Sequence, residues 1–114
     1  MTVVDDQIGR PTSTSTIAYV IAHYIVGAGF LPGIYNLSNT GDVCSKYELA
    51  QFINKEYNFN KNIIPIKTPI SKNCAKRQKN SIFNLNNLIT YFYDIKDWKY
   101  MVKQYLDNYI NNNC

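Results

Sequence analysis

Apolar residues spaced three and four apart mark two stretches of the chain. Ile17, Val20, Ile21, Tyr24 and Ile25 share one face of a predicted helix, and Ser13, Thr14 or Ser15 can cap its start. Near the other end, Trp98, Met101, Val102, Tyr105, Leu106 and Tyr109 form a second helical stripe, expected to pack as core. Between them, Ser45-Lys46-Tyr47-Glu48 fits a capping box, and Tyr47, Leu49, Ala50, Phe52 and Ile53 supply the apolar side of the helix it opens. A shorter helix follows from Leu85, Leu88, Ile89 and Phe92.

The remaining apolar runs are short and read as strands. Residues 2–7 begin with Thr2, Val3 and Val4 and turn polar at Asp5, Asp6 and Gln7. Residues 8–12 leave that strand through a turn, since Gly9 frees the backbone and Pro11 holds Arg10 extended. Gly27 and Gly29 stop the first helix, Pro32-Gly33 reverses the chain, and Ile34-Tyr35-Asn36-Leu37 predicts a buried strand. A turn follows at residues 39–42. The Asn-rich residues 58–62 end the second helix, and Ile63-Ile64-Pro65-Ile66 reads as an edge strand, because proline has no N–H for a central ladder. Residues 68–80 show no hydrophobic period and predict an exposed or ligand-facing loop. Residues 111–114 predict a frayed tail. No repeat is present.

Composition adds little to this α/β picture but excludes several classes. With 114 residues, 46% hydrophobic and 14% aromatic, a single packed domain over residues 1–114 is expected, not a disordered chain. The net charge of +4 comes mostly from scattered lysines, which argues against nucleic-acid binding. Lys72, Lys76, Arg77 and Lys79 cluster enough to attract phosphate, although a solvated loop is the alternative. Cys44, Cys74 and Cys114 have neither disulfide nor zinc spacing, and no role for them follows from sequence. His23, the single histidine, lies beside the apolar stripe and is expected to be packed or half-exposed. No apolar run approaches the roughly 20 residues that span a bilayer, so no membrane partner and a cytoplasmic location are expected.

The segment Val3-Val4-Asp5-Asp6-Gln7-Ile8-Gly9-Arg10-Pro11-Thr12 closely resembles the VVxDQxGxPT signature of dTDP-4-dehydrorhamnose reductases. Residues 33–37 followed by Gly41, then Ser45-Lys46-Tyr47-Glu48-Leu49-Ala50, then Arg77-Gln78-Lys79-Asn80-Ser81 agree in order, and the resemblance extends through Trp98. It implies the C-terminal, substrate-binding part of an extended short-chain dehydrogenase fold: short strands, about four helices and no Rossmann half within these residues. The implied activity of the intact family is NADPH- or NADH-dependent reduction of dTDP-4-dehydro-L-rhamnose to dTDP-L-rhamnose, which feeds polysaccharide biosynthesis. The implied partners are a dTDP-sugar and, if the halves are split, a separately encoded Rossmann chain.

By that resemblance Gln7, Arg10, Thr12 and Arg77 are substrate-binding. Gln7 and Thr12 would donate hydrogen bonds, Arg10 would face a phosphate, and Arg77 stands at the arginine of the family's Arg-Pro-x-x-Ser motif. Gln78 replaces that proline, which removes a backbone constraint from the loop. Purely structural roles stand beside these: Gly9 and Pro11 shaping the turn, Thr12 helping to cap a helix, Arg77 in an ion pair. No catalytic residue and no cofactor site are expected within this chain, because the glycine fingerprint for a dinucleotide pyrophosphate is missing. The spacing Tyr57-x-x-x-Lys61 imitates the family's acid pair, but roughly one such spacing arises by chance in so tyrosine- and lysine-rich a chain. It is also downstream of where the family carries the pair, so an independent oxidoreductase is rejected. A non-catalytic binding or regulatory module, or a decaying gene product, remains the alternative reading.

Overall fold

The computed structural model describes residues 1–27, 32–70, 75–92 and 94–113, apart from the side chains of Tyr24 and Ile25. The expected helix stop at Gly29, the side chains of two of the five residues in the first helical stripe, Lys72, Cys74 and Cys114 therefore lie outside the described residues. The α/β class holds, with four helices and four short strands among them. Contacts gather into two compact units: residues 1–9 with 43–82, and residues 10–42 with 83–114.

In the first unit, β1 (Thr2–Val4) and β4 (Ile64–Ile66) pair in parallel, Val3 opposite Pro65. Parallel neighbours need a long crossover. It is supplied by α2 (Lys46–Glu56), which packs on β1. The capping box forms as the sequence predicts: Glu48 N donates to Ser45 Oγ at 3.1 Å, and Ser45 N donates to Glu48 Oε2 at 2.6 Å. The helix stops at the Asn-rich run, where Asn58 and Asn60 take φ of 50° and 53°, the left-handed conformation that asparagine tolerates.

Sequence reasoning read residues 8–12 only as a turn. Ile8 and Gly9 instead form β2, antiparallel to β3 (Cys44–Ser45). On its other side Ile8 accepts from Ser81 N at 2.9 Å and donates to Lys79 O at 2.8 Å. Gly9 suits this close approach: a Cβ there would stand 2.5 Å from Ser81 Oγ, which reaches Ile8 O at 3.2 Å and would have to turn away.

In the second unit, Ser13 caps α1 (Thr14–Val26) by accepting from Thr16 N at 3.0 Å, and Gly27 closes the far end. The core joins Val20 of α1 to Leu85, Leu88 and Phe92 around α3 (Asn86–Tyr91), and to Ile95. Trp98 and Met101, in the first turn of α4 (Trp98–Asn113), are also buried. Two expectations need correction. Residues 34–37 form no strand, and Ile34 is 91% exposed; among the described residues no strand pairs with this segment, and an extended run without a ladder is not a strand. The two helical stripes are only partly core, since Ile21, Tyr105 and Tyr109 stand exposed. Periodicity identifies a shared helix face without saying what covers it. The helix α4 runs through Asn113.

Candidate functional site: a basic cleft in the first unit

The polar residues after β1 and the loop after β4 build a candidate site. Asp6, Lys67, Thr68, Pro69, Ile70 and residues 75–79 line a cleft of about 1050 Å³. Residues 76–79 contribute Lys76, Arg77 and Lys79, all exposed. Lys67 is neutralised locally by Asp5, its Nζ standing 2.9 Å from Oδ1, and the partner carboxylate raises the lysine's pKa. Three cations in the loop therefore face the cleft with Asp6 as the opposing charge.

Asp6 is held by a directed chain of hydrogen bonds. Gln7 Nε2 donates to Thr68 Oγ1 at 3.1 Å. That fills an acceptor site on the hydroxyl and aims its proton at Asp6 Oδ1, 2.6 Å away. Thr68 N donates to the same oxygen at 3.0 Å. The Thr68 hydroxyl first, and its amide with it, hold the Asp6 carboxyl below the usual aspartate range against the opposing effect of desolvation; Lys79 adds a smaller pull in the same direction.

This shift sets the sign of a pH effect. The folded pKa is lowered, so between the folded and unfolded values the unfolded chain binds more protons. The stabilisation is fully present above about pH 4 and is lost as pH falls through the lowered folded value. Urea midpoints measured down through that window should decline, and the Thr68→Val variant should show a shallower decline. Equal slopes for the two proteins would remove Thr68 as the cause.

The residues predicted from sequence divide between the units. Arg77 lines the basic cleft, whereas Gln7 acts on it through Thr68, with its amide nitrogen already engaged. Arg10 and Thr12 belong to the second unit. There Arg10 Nε donates to Gly41 O at 2.8 Å and its Nη1 to Phe83 O at 3.2 Å, so the guanidinium clamps two backbone segments. Thr12 is half-buried just before the cap, and Ser13 performs the capping. Sequence reasoning missed Asp6 and Thr68. The polar end of β1 pointed to the first, but no local pattern pairs residues 62 positions apart.

Tyr57 is the C-cap of α2, and the left-handed residues 58 and 60 separate it from Lys61, so the Tyr-x-x-x-Lys spacing does not lie along a helix. His23 is exposed against the Tyr19 ring, with ring centroids 4.1 Å apart. Among the described residues no helix is long and apolar enough to cross a membrane.

The first unit is a small parallel sheet with α2 as its crossover and a cation-rich loop, and the second is mostly helical, which together define a small α/β class. The chain belongs to the RmlD substrate binding domain family, which matches it over residues 1–111. It is 31% identical over 104 residues to the spore coat polysaccharide biosynthesis protein SpsK of Bacillus subtilis (strain 168), a match covering 91% of this chain and 35% of that protein. Among solved structures it is similar to dTDP-4-dehydrorhamnose reductase from Bacillus anthracis str. Ames in complex with NADP, with 33% identity and a TM-score of 0.82 over 95% of this chain and 38% of that one. The dTDP-4-dehydrorhamnose reductase of Clostridium acetobutylicum ATCC 824 gives 30% identity and a TM-score of 0.81, over 94% and 38%. The chain thus spans little more than a third of these relatives' length.

Proposed function

We propose that this chain is the dTDP-sugar-binding portion of a dTDP-4-dehydrorhamnose reductase, serving polysaccharide biosynthesis in the cytoplasm. The observation that carries this reading is the basic cleft with Arg77 in its wall, at the position matching the family's motif arginine. A guanidinium fork suits a diphosphate because it offers parallel donors, and Lys76 and Lys79 add positive potential around it. Arg10 supports the reading less directly, since its bonds to Gly41 and Phe83 shape the backbone after the signature turn.

In the reductase reaction a nicotinamide supplies hydride to the sugar carbonyl. These residues do not fit that cofactor. A dinucleotide pyrophosphate needs a glycine turn between a strand and a helix, and β1 runs instead into Asp5 and Asp6, whose charges oppose phosphate. On this reading the cofactor is held by other residues, in the same polypeptide or another. The share of this chain in the reaction is binding and orientation of the sugar nucleotide.

Calorimetric titration with dTDP-rhamnose tests the reading. Micromolar to millimolar binding is expected, and Arg77→Ala should weaken it by about tenfold or more, the loss associated with a charged hydrogen bond. Arg77→Lys should fall between, keeping charge without the fork. Unchanged affinity in Arg77→Ala would sink the assignment.

A further inference from the structure

A carboxylate in the wall of an anion-binding cleft needs explanation, because it weakens attraction for phosphate. Apart from the small pull of Lys79, the described neighbours of Asp6 are neutral donors that do not demand a charge there. The two Thr68 donors would be satisfied equally by the neutral oxygen of an asparagine. The polar chain instead presents this carboxylate in one orientation, with Gln7 and Thr68 as its supports. A carboxylate has about four acceptor sites, of which, among the described residues, Thr68 occupies two and the amide of Asp6 itself a third. Capacity remains for donors from a ligand.

Resting on the reading of the cleft as a sugar-nucleotide site, we propose that Asp6 is a specificity-determining acceptor for a sugar hydroxyl, positioned by Thr68 and Gln7. The cleft then sorts anions by what they carry beside their phosphates. Arg77, Lys76 and Lys79 attract any diphosphate. Asp6 repels an anion that brings no donor, and offsets this repulsion with a charge-assisted hydrogen bond for one that does. Such discrimination combines an attractive element with a repulsive one. A site of cations alone would bind inorganic pyrophosphate and sugar nucleotides with little distinction.

The test compares dTDP-rhamnose with inorganic pyrophosphate, by calorimetry on the whole chain at one salt concentration. Asp6→Asn keeps an acceptor for Thr68 and removes the charge. It should bind pyrophosphate more tightly and dTDP-rhamnose more weakly, so that the ratio of the two affinities falls by about tenfold. Thr68→Val, which leaves the carboxylate but loosens it, should lower the ratio by about threefold, and Thr68→Ser should preserve it. A ratio unchanged in Asp6→Asn, with Arg77→Ala still impaired, overturns this inference and leaves the reading of the cleft intact. Failure of the unsubstituted chain to bind dTDP-rhamnose overturns both. If circular dichroism shows Asp6→Asn to be unfolded, the two Thr68 variants decide, and equal ratios in them count against the proposal.

Discussion

Replacing Trp98 by alanine is expected to destabilise the second unit by about 3–5 kcal/mol, within the usual range for deleting a buried aromatic side chain. The indole is 2% exposed, and its Nε1 donates to Asp42 O at 2.7 Å. Its backbone N–H donates to Thr40 O at 3.0 Å, while the Lys99 ammonium stands 5.5 Å from the ring centroid. Truncation therefore opens a cavity and strips a carbonyl of its donor together. Trp98→Phe separates the two effects, since it retains most of the volume and loses only the N–H; about 1–2 kcal/mol is expected for it. Domains of this size are stable by only about 5–15 kcal/mol, so the alanine variant should show a much lower urea midpoint by circular dichroism. Midpoints that agree for all three proteins would show that the indole is not an anchor.

A loss of about 2–4 kcal/mol is expected for Asn39→Leu, a change that preserves size and removes every polar atom of the side chain. Asn39 is fully buried. Its Oδ1 accepts from Ser13 N at 2.7 Å, and its Nδ2 donates to Thr16 Oγ1 and to Lys96 O, both at 2.9 Å. One amide thus ties the start of α1 to the segment before α4. Leucine leaves a backbone N–H and a backbone carbonyl without this partner in a site where water has little access. Asn39→Asp is the informative companion, because it keeps the acceptor for Ser13 but loses both donors and sets a charge against the Lys96 carbonyl. Hydrogen exchange at the first turn of α1 reads the effect locally. Protection equal to that of the unsubstituted chain would reject the tie.

The contrast between these residues shows what the sequence makes legible. Local chemistry is written plainly: Ser45 and Glu48 cap α2, Ser13 caps α1, and Pro65 falls on an edge strand, each through groups only a few residues apart. Trp98 was readable as core from its helical period. Asn39 was not, because it sits in an apparent turn and its partners lie 23 to 57 positions away. The β2–β3 pair was hidden for another reason, since two-residue strands carry no alternation to detect. The candidate site divides in the same way. Arg77 was found through a motif resemblance, whereas the Asp6–Thr68 pair depends on the parallel register of β1 with β4, which brings the ends of both strands to one place.

Trp98 also gives the molecule a built-in optical gauge. It is the single tryptophan in the sequence and belongs to the second unit, so selectively excited indole emission reports that unit alone. A shielded, hydrogen-bonded indole emits at shorter wavelength than one in water, and the colour of the emission follows its exposure during melting. Amide signals from α2 and the small parallel sheet follow the other unit. Overlaying the two curves from one sample tells whether the chain melts as one cooperative block or in two stages, with no label attached.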